Sequence, residues 1–410
     1  MDYKFGGKYL LEQEIANGGC GTVFLGTHHI AGKQVAIKLE PATEARKIVR
    51  RSKSQPELKS KSKNQTVDPY PGLSPLTLES QIYKRLMGAP GVPFLLHSGK
   101  SGPYNVLVMD LLGPSLEDLS RRCGRRFSLK TTCMLAVQCL DRLEYIHSRG
   151  VLHRDVKPAN FVMSRTTPSI VNIIDFGLAK RYRQPLNGEH IPYSQHPDAL
   201  HGVGTSLYAS LNTHFGVETG RRDDLESLAY MLIGFVRGGL PWRKVRATVD
   251  PPPNWPSKEW NPITQTWNMI RDEKVKAEAV LLSTSKERKQ HMHAHAPMSS
   301  SNPASLLTAL PEEFGVLYRY ARTLQFTDLP DYEGLRQLFR GLAEREGFLD
   351  SAGEYDGVWD WDAPEGSVPP VPSTPVSVVH GQGRFCEACN KRAAEAAGVG
   401  SLGKRKKEWV

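Results

Sequence analysis

The chain has 410 residues and carries 53 Lys and Arg against 43 Asp and Glu, which gives a formal net charge of +10. Its 39% hydrophobic content is enough for a sizeable core and excludes disorder along the whole chain. Six cysteines are too few for a disulfide scaffold, so we expect reduced thiols in an intracellular protein. The longest uncharged apolar stretch, Ser227 to Val236, has only about half of the roughly 20 residues that a bilayer span needs, so no transmembrane segment is predicted.

Strands are predicted mainly in the first part of the chain, and helices mainly in the second. Alternation of apolar and polar residues predicts two or three strands over Tyr9 to Leu39 and another over Tyr104 to Met109. Apolar residues at helical spacing predict helices over Leu76 to Met87, Leu129 to Ser148, Asp224 to Val236, Phe314 to Leu324 and Tyr332 to Ala343. The helix over Asp224 to Val236 is apolar nearly all round, so we expect it to be buried.

Three segments are predicted to be insertions, and a fourth to be a tail. Residues 41–72 hold eight Lys or Arg and three acids, which is half of the net charge, and read as a basic loop. Proline-rich residues 247–262 and the Ser-, Lys- and His-rich residues 284–303 are the other two insertions. Residues 350–410 include the polyproline-like run VPPVPSTPV and are predicted to be mostly disordered.

Glycines cluster in ANGGCGTV, from Ala16 to Val23. Gly18 and Gly21 occupy the last two positions of a G-x-G-x-x-G loop, but Ala16 stands at the first, so the pattern alone is also typical of an ordinary tight hairpin. A dinucleotide-binding fold would need a helix directly after the glycines, whereas Thr22 to Gly26 reads as a strand. Glycine suits a hairpin that covers phosphates, because a side chain would keep the backbone amides away from them.

The strand VAIK ends on Lys38. Such a lysine is usually a rim residue whose ammonium reaches solvent. It could instead bridge phosphate oxygens if a carboxylate held it, and Glu79 in the predicted helix is the candidate. The alternative for Glu79 is a place on a solvated helix face.

The segments HRDVKPAN, His153 to Asn160, and IIDFGLAK, Ile173 to Lys180, indicate chemistry. Phosphoryl transfer from ATP needs a carboxylate that orients the attacking hydroxyl and accepts its proton, and metal ions that neutralise the phosphates. Asp155 fits the first role. Asn160 and Asp175 offer the hard oxygen ligands that Mg²⁺ prefers, and Lys157 is suited to steady the transferred group. These are protein-kinase spacings.

The chain therefore resembles a eukaryotic protein kinase, and specifically the casein kinase I family, over about residues 9–349. The motifs that carry the narrower resemblance are LLGPSLEDL, EYIHSRGVLHRDVKP, HIPY, TGRRDDLESL, LPW and PDYEGLRQLFR. Ser210-Leu211-Asn212 also stands where most kinases have Ala-Pro-Glu, and the family has a similar Ser-Ile-Asn. Such a match implies that Ser or Thr residues of acidic or phosphorylated proteins are the substrates.

The resemblance implies an α+β, two-lobed fold, with ATP in the cleft between the lobes. After a lead of residues 1–8, the strand-rich N-lobe would span about 9–110 and the larger helical C-lobe about 111–349. The catalytic residues would be Asp155, Lys157 and Asn160, with Asn160 and Asp175 as the metal ligands and Asp224 as a buried brace of the catalytic loop. The residues implied to bind ATP are Ile15, Ala16, Asn17, Gly18, Gly19, Cys20, Gly21, Thr22, Val23, Ala36, Lys38, Glu79, Met109, Asp110 and Leu112.

The sequence departs from the family pattern at Leu207, where the family has an arginine that helps to bind a phosphate already on the substrate. A preference for such primed substrates is therefore in doubt. The candidates for a substituted anion contact are Arg243, Lys244 and Arg221. Cys20 replaces the aromatic residue at the tip of the glycine loop, either as a reactive thiol or as a spectator.

Two rivals to an active kinase are a degenerate kinase that acts as a scaffold and a basic binding module at residues 41–72 or in the tail. Intact Lys38, Glu79, Asp155, Asn160 and Asp175 argue against the scaffold. The distribution of charge fits acidic protein partners better than nucleic acid, and we expect a monomer. The basic run Lys404 to Lys407 is a candidate nuclear signal, so the expected location is the cytoplasm, the nucleus or both. Cys386 and Cys389 form a lone CxxC, which lacks the partners of a zinc site.

Overall fold

The computed structural model describes residues 4–18, 21–42, 74–184, 188–194, 203–251, 260–282 and 310–362. The predicted insertion 284–303, nearly all of 41–72, most of 247–262, the loop tip Gly19–Cys20 and the tail beyond 362 lie outside the described residues. The chain divides into two compact units, residues 1–115 with 160–179 and residues 116–159 with 180–410. The predicted order, strand-rich first and helix-rich second, is confirmed.

The first unit contains an antiparallel sheet of six strands in the order β1-β2-β3-β4-β6-β5. The strands are β1 Lys4–Phe5, β2 Tyr9–Gly18, β3 Gly21–His28, β4 Gln34–Pro41, β5 Leu95–Ser101 and β6 Tyr104–Asp110. Alternate residues of β4 and β6, among them Val35, Ile37 and Val108, are fully buried and pack with Phe5 and Tyr9 into one apolar cluster. The same alternation that predicted the strands therefore fills the core of this unit.

Helix α1, Pro75–Leu86, also belongs to the first unit. It begins where the sequence offers a cap and a rigid first residue: the Ser74 hydroxyl accepts from the Thr77 N–H at 3.1 Å, and Pro75 stands in the first turn. Its buried face includes Leu76, Ile82 and Tyr83 and also a carboxylate, Glu79. The unit is completed by the short antiparallel pair β8 Phe161–Met163 and β9 Val171–Ile173.

The second unit is mostly helical. Its helices are α2 Leu116–Arg122, α3 Leu129–Ser148, α4 Leu211–His214, α5 Arg221–Arg237, α6 Pro262–Leu282, α7 Glu312–Thr323 and α8 Tyr332–Arg345, and its strands β7 Val151–Leu152 and β10 Lys180–Arg181 pair antiparallel. Helix α5 is buried on almost every side, as its sequence predicts, and packs against α7, while α8 packs against α3. Helix α6 lies where no element was predicted.

Packed chain continues past the predicted boundary at residue 349, as far as Asp362. The Asp360 carboxylate accepts from the Ser128 N–H at 2.5 Å and from the Ser128 hydroxyl at 2.7 Å, directly before α3. Trp359 is buried, and Trp361 meets the ring of Phe127 edge-on at 5.4 Å. Residues 350–362 are therefore part of the second unit.

Replacing Asp360 by Ala is expected to lower the free energy of unfolding by about 1.5–3 kcal/mol, because two donors at the start of α3 lose a charged acceptor. Thermal unfolding of the purified protein measures the loss. The matched control is Asp356→Ala, since Asp356 contacts Lys130 at 2.8 Å on the surface and such pairs contribute under about 1 kcal/mol. Equal effects of the two substitutions would contradict a structural role for Asp360.

Candidate active site

Lys38 lies in the middle of the sheet and is held by two carboxylates of the first unit. On β4 it pairs in register with Val23 of β3 and Leu107 of β6. Its Nζ lies 2.8 Å from Oε2 of Glu79 and 2.9 Å from Oδ1 of Asp175. The predicted contact between Lys38 and Glu79 is thus present, and Glu79 is buried rather than on a solvated face.

Burial and charge act in opposite directions on this group of three. Burial by itself lowers the pKa of Lys38, but the carboxylates of Glu79 and Asp175 outweigh it and raise that pKa above the ordinary value. Burial raises the pKa of Glu79 to about 7, against the opposing effect of the Lys38 ammonium. Lys38 therefore stays charged, and its charge keeps a buried carboxylate close to ionisation at neutral pH.

Asp175 takes its position from α1 and from its own backbone. Its φ of +63° is rare for a residue with a side chain, and its N–H donates to the Tyr83 hydroxyl at 3.1 Å. The next residue, Phe176, packs edge-on against Tyr83 with ring centroids 5.0 Å apart. The second predicted metal ligand, Asn160, is buried, and its backbone carbonyl oxygen accepts from the Ile174 N–H at 2.9 Å.

In the second unit, both oxygens of the Asp155 carboxylate receive hydrogen bonds. Lys157 Nζ donates to Oδ2 at 2.6 Å, and the Thr205 hydroxyl donates to Oδ1 at 2.8 Å. Lys157 also donates to the Thr205 hydroxyl at 3.1 Å, which closes a ring of three side chains. The carboxylate is thereby fixed in orientation, as a group that must align a hydroxyl requires.

Gly204 permits this contact. Its φ is +97°, and a Cβ at this position would lie 2.5 Å from the carbonyl oxygen of Arg154. Only glycine allows the chain to approach the catalytic loop this closely. Thr205 then follows directly, beside Asp155.

A buried carboxylate, Asp224 of α5, holds the catalytic loop from behind. Its oxygens accept from the backbone N–H groups of His153 and Arg154, each at 2.8 Å, and Oδ2 lies 2.8 Å from Nε2 of His147. Burial alone would raise the pKa of Asp224, but these hydrogen bonds and nearby imidazoles lower it. The bracing role that the resemblance implied for Asp224 matches this geometry.

Most of the other predicted nucleotide-binding residues lie along β2, β3, β4 and the end of β6; Leu112 follows β6 by two residues, and Gly19 and Cys20 lie outside the described residues. Gly18 pairs with Gly21 where the hairpin closes, and β3 is the strand that the sequence predicted in place of a dinucleotide-binding helix. Met109 pairs with Ala36 across β6 and β4. The Asp110 carboxylate accepts from Lys33 at 2.8 Å and from the Phe94 N–H at 3.1 Å, so it has structural partners as well.

The three anion candidates differ in their surroundings. Arg221 is buried at 4% exposure, and its guanidinium donates to the Tyr182 hydroxyl at 3.2 Å and to the carbonyl oxygen of Thr327. These contacts give Arg221 a structural role rather than a place on the surface, and the prediction of an anion contact rests on Arg243 and Lys244. Arg243 lines a groove of about 290 Å³ in the second unit, beside Leu207 and Gly239.

The sequence analysis missed Thr205, which contacts Asp155, and Lys274, which contacts the carbonyl oxygen of Ser206. No local pattern marks Thr205, because its partner Asp155 is 50 residues away. For Lys274 a signal existed: Ile270, Lys274 and Ala277 are spaced as one helix face, and all three are fully buried.

Within the described ranges, no three His, Cys, Asp or Glu side chains meet as ligands of a metal ion, and no helix has the length and apolar character of a bilayer span. Asn160 and Asp175 form a different kind of set, one amide and one carboxylate. Such a pair suits a divalent ion that also takes phosphate oxygens and water as ligands. The CxxC of Cys386 and Cys389 lies outside the described residues.

A family model described as "Protein kinase domain" matches residues 9–285, which is more than half of the chain. The matched range contains Lys38, Glu79, Asp155, Asn160 and Asp175. With the strand-rich first part and the helical second part, this match confirms the predicted two-lobed fold.

Proposed function

The chain belongs to the protein kinase family, and we propose that it phosphorylates serine and threonine hydroxyls of acidic proteins in the manner of casein kinase I, using ATP and Mg²⁺. The observation that carries the proposal is the fixed Asp155 carboxylate with its partners Lys157 and Thr205. The narrower assignment is supported by the motifs LLGPSLEDL, EYIHSRGVLHRDVKP and TGRRDDLESL.

The residues present fit a nucleotide with a divalent ion. Lys38, kept charged by two carboxylates, is suited to bind phosphate oxygens, and Asn160 and Asp175 supply the hard oxygen ligands that Mg²⁺ prefers. When bound, ATP with its metal ion supplies the phosphoryl group and neutralises its negative charge. Asp155 orients the hydroxyl group of the substrate and accepts its proton.

The groove in the second unit supports the proposed preference for acidic substrates. Its lining includes four cationic side chains, Arg121, Arg125, Lys157 and Arg243, and one acidic one, Glu117. Glu117 is already engaged by Arg121 at 3.1 Å. A surface of this sign beside Thr205 attracts acidic segments and repels basic ones.

A panel of matched peptides tests the proposal. The wild-type protein is incubated with labelled ATP and Mg²⁺ and with peptides that carry a single Ser, Thr or Tyr between acidic, neutral or basic flanks. We expect labelling of Ser and Thr, at least about 10-fold faster between acidic flanks, and loss of labelling with a chelator. Equal labelling of Tyr would contradict the residue specificity, and equal rates for all flanks would contradict the acidic preference.

Leu207→Arg is expected to raise kcat/KM for a phosphoprimed peptide by about 10-fold, and to change it for the unprimed peptide by much less. A charged hydrogen bond to a phosphate contributes about 1.5–3 kcal/mol, and Leu207 lines the groove next to Arg243. Leu207→Met is the control for a change of side-chain shape without charge. Equal gains in kcat/KM on both peptides would show that an arginine at position 207 does not bind the phosphate.

A further inference from the structure

Helix α6 carries a lysine that is buried in the second unit. Lys274 is completely inaccessible to solvent, although its neighbours Val275 and Lys276 are exposed. A buried ammonium is costly unless hydrogen bonds replace its water. What Lys274 contacts is therefore informative.

The contacts of Lys274 are backbone carbonyl groups of one loop. Its Nζ donates to the carbonyl oxygen of Ser206 at 2.9 Å and to that of Ala209 at 2.6 Å, and Nε2 of His214 lies 3.2 Å away. An ammonium has three hydrogens; two carbonyl oxygens accept from it, and Nε2 of His214 is a third acceptor in the tautomer that leaves this nitrogen unprotonated. The rings of Tyr230 and Trp242 cover it, with centroids 4.7 and 5.5 Å from Nζ.

The loop that Lys274 holds is the one that reaches Asp155. It runs from Gly204 to Ser210, and its first side chain, Thr205, donates to the Asp155 carboxylate. Trp242 supports the same loop through a hydrogen bond from Nε1 to the carbonyl oxygen of Leu207 at 2.8 Å. Two buried side chains thus bind three carbonyl groups of a loop that runs beside the catalytic carboxylate.

We propose that Lys274 is a positioning residue for phosphoryl transfer, because its ammonium holds the loop 205–209 where Thr205 can align Asp155 and where the loop can receive the substrate. The inference rests on the proposed role of Asp155. Lys274 itself does not touch the reacting atoms. It acts through the loop, and its effect is therefore on the protein substrate rather than on ATP.

The titratable groups that face Lys274 come from two helices. These are His214 of α4 and Tyr230 and Glu226 of α5; Arg322 of α7 in turn contacts Glu226 at 3.3 Å. Burial lowers the pKa of Lys274 to about 7, with Glu226 opposing, and burial lowers the pKa of His214 to about 2, so that its imidazole is neutral. Because the folded pKa of Lys274 is depressed, its ammonium is present below about pH 7 and is lost as the pH rises.

The test compares Lys274→Met with Lys276→Met, which changes an exposed lysine two residues further along the same helix. For an acidic serine peptide, Lys274→Met is expected to lower kcat/KM by about 10-fold, the same loss as for Thr205→Val, because a small misplacement of the Thr205 contact lies near the reacting groups. The dissociation constant of ATP, measured by direct titration, should stay within about 2-fold. Lys276→Met should leave both quantities unchanged.

Two further measurements separate positioning from a general loss of structure. In a double-mutant cycle, the variant with both Lys274→Met and Thr205→Val should have a kcat/KM no more than about 2-fold below that of Thr205→Val alone, since both substitutions act through one contact. Lys274→Arg keeps its charge at every pH in the assay, so its kcat/KM profile should lack the fall that the wild type shows above about pH 7.

The inference is overturned if Lys274→Met has wild-type kinetics, or if it weakens ATP binding as much as it slows peptide labelling. It is also overturned if the losses in kcat/KM of Lys274→Met and Thr205→Val multiply in the double variant. A common pH profile of wild type and Lys274→Arg would overturn it as well. Should Lys274→Met fail to fold, the Lys274→Arg profile still decides. If the wild-type protein labels no serine or threonine peptide, the proposed function fails instead, and that result is seen before any variant is made.

Discussion

Asp155→Asn is expected to reduce kcat for peptide phosphorylation by at least about 10³-fold, while the dissociation constant of ATP changes little. General-base catalysis contributes about 10²- to 10⁴-fold, and an amide cannot accept the proton of the hydroxyl. Asn has nearly the same shape, so its carbonyl oxygen can still accept one hydrogen bond from Lys157 or Thr205, which now donate to the carboxylate at 2.6 and 2.8 Å. The loss is therefore one of chemistry rather than of folding.

The experiment compares wild type, Asp155→Asn and Thr205→Val in one assay on casein. Thr205→Val removes a hydrogen bond to the carboxylate but leaves the base in place, so we expect a smaller loss, about 10-fold. If wild type and Asp155→Asn label casein equally, at background, the chain acts as a scaffold rather than as an enzyme. If Thr205→Val is as inactive as Asp155→Asn, Thr205 does more than orient the carboxylate.

Lys38→Met is expected to have the second largest effect, with a loss of about 10³-fold in kcat/KM for ATP. The substitution removes the cation suited to phosphate oxygens and leaves Glu79 and Asp175 without the ammonium that contacts both at under 3 Å. The matched control is Lys84→Met, which changes an exposed lysine of α1. Activity of Lys38→Met within about 10-fold of wild type would show that Lys38 is only a structural residue.

The same substitution predicts a change in the pH dependence of stability. In the wild type, burial holds the pKa of Glu79 at about 7, above its ordinary value, and Lys38 keeps it from rising further. A buried carboxyl with a raised pKa keeps its proton in the folded state, so stability is lost as the pH rises from the unfolded towards the folded pKa. Without Lys38 the folded pKa is higher, and the melting temperature of Lys38→Met should fall more steeply above about pH 7 than that of wild type. Parallel melting curves would contradict the coupling.

Local patterns predicted the elements of this protein well. The alternating residues of VAIK form β4, the capped stretch after Ser74 forms α1, and the apolar run after Asp224 forms the buried helix α5. These patterns work because burial on one face of a strand or helix repeats with a fixed period in the sequence. Helix α6 escaped notice, because the lysine on its buried face interrupts the apolar pattern.

The chemistry of the site was also readable, since Lys38, Glu79, Asp155, Asn160 and Asp175 are residue types that phosphoryl transfer requires at recognisable spacings. The contacts of these residues could not be predicted from the sequence. The partners of Lys38 are 41 and 137 residues away, and those of Asp224 lie 70 to 77 residues before it. The structure also changes which positive charges are assigned to the surface. Arg221 is buried, and the cations that line the groove include Arg121 and Arg125 of the α2 region.

The sequence by itself determined the order of strands and helices, the protein kinase family and the residues that we propose carry the chemistry, because each depends on residue type and short-range spacing. Only the tertiary structure decided that Thr205 donates to Asp155, that Lys274 holds the loop bearing Thr205, and that Asp360 binds Ser128, the residue that caps α3. Each of these contacts joins groups between about 50 and 232 residues apart. Their pairing follows from how the helices pack around one core, and packing of this kind leaves no periodic trace in a single chain.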